Sequence, residues 1–288
     1  MRRKTAGSSA QRGANDGDQA SAWEHAAEQD ARWCAAVVCL YRCVCIASGD
    51  RRGFRYGTRL TGRSWYENVG MYQYQQTHTY LPPRSRGVQT MMFSCSVWSP
   101  KGGVGKSTLS INLAARLALE TSRPRVLLVD LDTQQSGRTW AAQAKQCGHT
   151  VPFDVAASDA QASAYDIVIF DHAPGMLDAS ALKSQVTLMP LLPSFFDAAA
   201  AIKGQADQVA KGRRVMLLPN RLEMNFASDI AFLAGFVGKP YIRKRKAYQA
   251  TIARGLTIYA DKSGIRGLHE ARREMDNTID ALIDLAAA

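Results

Sequence analysis

The chain has 288 residues, a globular apolar share of 46% and a net charge of +11, which fits one or two folded domains. Its most hydrophobic early run, Ala35 to Ala47, is interrupted by Arg42 and is too short for a membrane span. It also starts too far in, with no clear cleavage site, to read as a signal peptide. Among the 6 cysteines, Cys34, Cys39, Cys43 and Cys45 crowd together, but no second ligand pair completes a zinc pattern.

Residues 1–90 differ in kind from the rest. They open polar and Gly/Ser-rich, pass through an Arg/Gly-rich stretch from Arg51 to Arg63, and end in a Tyr/Gln/Thr-rich run closed by Pro82-Pro83. With 13 basic and 7 acidic residues, they hold more than half of the excess charge. No helix-turn-helix pattern emerges. The segment reads as disorder, or as sequence ahead of the true start, because Met91 and Met92 immediately precede the first clear strand. Residues 91–288 read as one folded domain.

That domain opens with an apolar, β-prone run, Met92 to Trp98. Ser99-Pro100-Lys101-Gly102-Gly103-Val104-Gly105-Lys106-Ser107-Thr108 follows, and then apolar residues at helical spacing: Leu109, Ile111, Leu113, Ala114 and Leu117. Strand, glycine-rich loop and helix in this order make a phosphate-binding loop. Gly102, Gly103 and Gly105 let backbone N–H groups approach phosphate oxygens, and the helix start adds partial positive charge. Val104 and Thr108 complete the cradle. Lys106 is placed for the β- and γ-phosphates of ATP, and Ser107 for Mg²⁺. The motif departs from the standard Walker A pattern: Pro100 stands where the first glycine belongs, and Lys101 follows it.

Two further strands end in acids. Arg125 to Val129 leads into Asp130-Leu131-Asp132, and Asp166 to Phe170 leads into Asp171-His172-Ala173-Pro174-Gly175. Continuous aliphatic runs with polar carboxyl ends are the mark of buried parallel strands around a ligand. Asp171 reads as the metal-holding acid of a Walker B segment. Asp130 and Asp132, two apart, project from one side of an extended segment and suit metal support and water orientation. The alternative for either is to cap the following helix. His172 reads as a linker residue, or as one that tunes water access. Strand signals recur at Val186 to Leu192, Arg214 to Leu218 and Tyr241-Ile242, with helices around Phe195 to Val209, Ala227 to Phe236 and Leu268 to Ala287. The alternation predicts an α/β fold, a mostly parallel sheet with helices on both faces.

The string Lys101-Gly-Gly-Val-Gly-Lys-Ser-Thr108 resembles the deviant Walker A box of the ParA/MinD superfamily of ATPases. From Met92 to Leu285 the chain is similar to small plasmid-type partition proteins, which begin near such a first strand. Several expectations follow from the resemblance. Lys101 is the signature lysine that reaches across an ATP-bound homodimer to the partner's phosphates. Asp132 orients the attacking water, and Asp130 supports Mg²⁺. Thr133 replaces the proline usual in that box. Asn220 reads the adenine edge, unless it is only a turn asparagine. The basic cluster Lys239, Arg243, Lys244, Arg245 and Lys246 contacts DNA backbone without reading sequence.

The implied function is an ATPase that partitions DNA in the cytoplasm, over the nucleoid, with a ParB-like centromere-binding partner. The alternatives are an ATP-gated DNA-binding or polymerising scaffold with negligible turnover, or another positioning ATPase of the superfamily. A metal-cluster carrier would need a C-x-x-C pair, and the domain has only Cys95 and Cys147. The last helix lacks the basic, bulky apolar face of a membrane-binding tail.

Overall fold

A computed structural model describes residues 93–175, 184–260 and 263–288. The expectations for residues 1–90 lie outside the described residues.

Six parallel strands form one sheet. They are β1 (Phe93–Val97), β2 (Val126–Asp130), β3 (Asp154–Ala156), β4 (Ile167–Asp171), β5 (Val186–Leu191) and β6 (Arg214–Pro219). All residues of β1, β2, β4 and β5 are buried, which explains why their sequences run apolar without alternation. The spatial order is β3-β2-β4-β1-β5-β6. The chain therefore leaves β1 toward one side, returns through β4, and continues to the other side. That reversal opens a crevice beyond the carboxyl ends of β1 and β4, where ligands of such sheets bind. The register places Val97 opposite Asp171, and Asp130 opposite Asp171 from the other side.

The helices are α1 (Lys106–Ala118), α2 (Ser136–Gln146), α3 (Phe195–Val209), α4 (Ala227–Leu233), α5 (Lys246–Ile252) and α6 (Leu268–Ala287). One core joins Cys95, Val97, Leu128, Ile169, Leu188 and Leu218 of the sheet to Leu109 and Leu113 of α1, Trp140 of α2, Tyr248 of α5, and Met275, Ile279 and Leu282 of α6. Each fully buried aliphatic side chain there contributes about 1.5–3 kcal/mol relative to exposure. A smaller core on the other face holds Leu127, Val129, Val168 and Phe170 under Ala162. Helix α3 is capped by Ser194, whose hydroxyl oxygen accepts from Asp197 N at 3.1 Å, and packs on β5 and β6.

The expected strand at Tyr241-Ile242 is not part of the sheet. Ile242 N donates to Pro219 O at 2.9 Å and Leu222 N to Ile242 O at 3.1 Å, and a single bridge pairs Leu222 with Arg243. Pro219 ends β6 and the chain turns at Arg221 (φ 59°), so no ladder continues. Among the described residues, no helix is long and apolar enough to cross a membrane.

Candidate nucleotide site

The loop between β1 and α1 owes its shape to glycine. Gly103 and Gly105 take φ of +74° and +96°, a region that a side chain disfavours. A Cβ at Gly103 would meet nothing within 4 Å, and one at Gly102 would meet only Pro174 at 3.9 Å, so this side of the loop is open. Val104 is fully buried and anchors the loop in the core. Gly105 stands at the N-cap of α1 with no side-chain cap, so the first N–H groups of that helix remain available to an anion.

Lys106 opens α1 and is 6% exposed. Burial lowers its pKa, and the nearby charges of Asp171 and Asp132 push it back upward. Asp171, fully buried at the end of β4, is raised to about 6. Burial dominates that shift and the charge of Asp130 adds to it, while the Ser107 and Ser110 hydroxyls and Lys106 act against it. Asp171 Oδ1 accepts from Ser110 Oγ at 3.2 Å, and Oδ2 is buried without a hydrogen-bond partner. A buried, unsatisfied carboxylate oxygen beside a helix-start serine and lysine fits a hydrated Mg²⁺ on a phosphate. No group of three or more His, Cys, Asp or Glu among the described residues could hold a metal alone, so phosphate and water would supply the remaining ligands.

Asp130 has taken the capping role. Its Oδ1 accepts from Asp132 N at 3.2 Å and its Oδ2 from Arg138 N at 3.0 Å, at the start of α2. Both oxygens thus hold the 132–138 backbone, as the capping alternative anticipated, and Asp130 reaches Asp171 as a neighbouring charge. Asp132 Oδ1 accepts from Gln134 N at 2.9 Å in a tight turn, and its charge faces Lys106. Lys101 is exposed on the loop.

Asn220 is likewise committed to backbone. It is buried, with Nδ2 donating to Val104 O at 2.7 Å and Oδ1 accepting from Arg221 N at 2.9 Å. The Asn220 amide thus clamps the phosphate loop to the end of β6. His172 is neither a passive linker nor exposed. Its Nε2 lies 3.0 Å from Ser96 Oγ, and Ser184 Oγ lies 2.8 Å from both Ser96 Oγ and Val186 O. Burial, helped by the Lys106 charge, lowers His172 to about 4, so it is neutral.

In the basic cluster Lys239, Lys244 and Lys246 are exposed, while the two arginines turn toward an internal carboxylate. Arg245 grips Glu274 of α6 with two bonds, at 2.6 and 3.0 Å. Arg243 N donates to the same carboxylate at 3.2 Å, and its guanidinium lies 5.9 Å from the Tyr241 ring centroid. Lys244 pairs with Glu223 at 2.7 Å, and Lys246 is exposed. Glu274, nearly buried under the 241–245 segment, draws in the two arginines.

Trp98 escaped the sequence reading. It is 3% exposed, and its indole Nε1 donates to Gly175 O at 3.0 Å. The only signal was a bulky aromatic directly before the phosphate loop.

Residues 93–201 match the family model described as AAA domain. "Maintenance of carboxysome distribution protein A" from Gloeobacter kilaueensis is 36% identical over 121 residues, 38% of this chain and 53% of that protein. The chain thus spans about half the length of that relative. The protein of the same name from Halothiobacillus neapolitanus is 28% identical over 218 residues, 66% of this chain and 96% of that protein. A Borrelia burgdorferi B31 structure described as a plasmid partition protein bound to AMPPNP superposes with a TM-score of 0.52 at 18% identity. That superposition covers 67% of this chain and 98% of that one, and shows a shared fold.

Proposed function

We propose that this chain, which carries a deviant Walker A ATPase domain of the ParA/MinD superfamily, is a positioning ATPase that hydrolyses ATP to ADP and phosphate and uses the cycle to distribute a cargo in the cytoplasm. The observation that carries this reading is the pairing of a buried cation–carboxylate site, Lys106 with Asp171 and Asp132, with an exposed Lys101 on the same loop. The buried lysine serves the chain's own nucleotide. In this reading the exposed one serves the nucleotide of a second copy, which makes ATP occupancy and homodimer formation one event.

The open backbone at Gly102 and Gly103, the α1 N-terminus and Lys106 bind and orient the phosphates. Ser107 and the unsatisfied Oδ2 of Asp171 are the groups that would hold Mg²⁺, whose contribution is to neutralise charge on the phosphate oxygens. Asp132 orients a water at the terminal phosphate, and Asp130 fixes Asp132 by accepting its N–H.

For the cargo, the two sequence relatives support a protein body such as a carboxysome over the plasmid that the resemblance first suggested. Non-specific DNA remains the proposed track, and an adaptor protein, ParB-like in role, the proposed stimulator. The test is Mg²⁺-ATP turnover and ATP-dependent dimerisation of the full chain beside Lys101→Ala. The expected result is turnover and dimers for the parent, and loss of dimers for the variant. Equal dimerisation by Lys101→Ala refutes the trans role of Lys101, and absence of turnover with DNA and adaptor present refutes the ATPase.

A further inference from the structure

Trp98 joins three parts of the site. Its backbone N–H donates to Leu188 O of β5 at 3.0 Å, and its indole N–H holds Gly175 O at 3.0 Å. Its ring edge fills the space beside Gly204 of α3, where an added Cβ would stand 3.3 Å from Cη2 and 3.5 Å from Pro100 Cγ. Gly175 has φ +113° and follows the metal-side acid Asp171 by four residues. Pro174, in the same turn, faces Gly102 of the phosphate loop. The 173–175 turn is thus held to Trp98 by an indole hydrogen bond and lies beside the phosphate loop at Gly102.

Packing alone does not account for this arrangement. A phenylalanine would fill most of the ring site, yet here the N–H is spent on the carbonyl of a turn whose backbone depends on glycine. A buried donor–acceptor pair of this kind selects one backbone state, because leaving the carbonyl unpaired carries a desolvation penalty.

We propose that Trp98 is a positioning residue for ATP hydrolysis: through its indole N–H it fixes the 173–175 turn against the phosphate loop, and through its ring it makes that position depend on α3. Trp98 acts through Gly175, which its indole holds, and through the neighbouring Pro174, which lies beside Gly102 of the phosphate loop. The inference rests on the ATPase reading above.

The experiment compares the full chain with Trp98→Phe and Gly204→Ala. Phe keeps the ring and deletes the donor. Ala presses on the ring from α3 and keeps the donor. Measured are kcat and KM for Mg²⁺-ATP, the affinity for ADP and the urea midpoint. Trp98→Phe is expected to lower kcat about fivefold to tenfold, the worth of one buried hydrogen bond, with KM and ADP affinity changed less than about twofold. Gly204→Ala is expected to lower kcat in the same direction without touching the donor. A purely structural role would lower the urea midpoint and move kcat and KM together, and that pattern overturns the proposal. Parent-level kcat in Trp98→Phe also overturns it and leaves the ATPase reading standing. No turnover by the parent removes both.

Discussion

The clamp between Asn220 and the phosphate loop yields the sharpest quantitative expectation. An alanine at Gly105 would carry its Cβ to 2.7 Å from Asn220 Nδ2, far inside contact distance, at a backbone φ of +96°. The backbone term costs about 1–2 kcal/mol for a residue other than glycine. Relieving the clash moves the amide off Val104 O, which now sits at 2.7 Å, and leaves buried groups unpaired at a cost of about 1–3 kcal/mol. Gly105→Ala should therefore destabilise the fold by about 2–5 kcal/mol. Asn220→Ala should cost about 1–3 kcal/mol, since it strands Val104 O without straining the backbone.

The double variant tests the mechanism. With the amide gone, the new methyl has nothing to strike, and only the backbone term remains on top of the Asn220 loss. The cost of Gly105→Ala in the Asn220→Ala background should shrink to about 1–2 kcal/mol, a coupling well above the 0.3–0.5 kcal/mol scatter of independent sites. Urea unfolding of the four proteins measures it. Additive costs within that scatter would refute the clamp. Nucleotide affinity, measured in parallel with a fluorescent ATP analogue, should fall in both single variants because Val104 lies inside the loop.

Two further outcomes separate charge that is used inside the fold from charge offered outside. Arg245→Ala leaves Glu274 nearly buried without its two-bond partner, and should lower stability by about 3 kcal/mol, whereas Lys246→Ala should leave the melt within about 0.5 kcal/mol and weaken salt-sensitive binding of arbitrary duplex DNA. Thermal unfolding and fluorescence anisotropy at two salt concentrations decide this, and an unchanged melt for Arg245→Ala refutes the ion-pair role. At Gly255 (φ +67°), an alanine Cβ would stand 2.7 Å from Ala144 Cα, so Gly255→Ala should cost more than about 3 kcal/mol by driving α5 from α2, and a cost below 1 kcal/mol would refute that packing.

The sequence made the parallel sheet legible because buried strands such as Val126–Asp130 and Ile167–Asp171 leave no alternation to misread. The phosphate loop was equally plain, since Gly103, Gly105 and Lys106 are required by backbone geometry and charge rather than by distant contacts. What escaped depended on partners far along the chain. Arg245 looked like surface charge until Glu274, 29 residues away, came beneath it. The bond from Asn220 to Val104, 116 residues distant, has no local signature beyond that of a turn asparagine. Tyr241-Ile242 had the composition of a strand, but its backbone pairs only with the turn after β6, so no ladder forms. Trp98 carried no pattern at all, because its donor finds Gly175 only across the sheet.

The His172–Ser96–Ser184 contacts tie three strands together beneath the site. The Ser96 hydroxyl on β1 meets His172, just past β4, and Ser184, just before β5, so one buried oxygen links the strands on either side of it. Removing that oxygen would leave buried partners unpaired, at about 1–3 kcal/mol for each group stranded. A polar lock of this kind resists sliding of one strand past another, which apolar packing alone does not oppose.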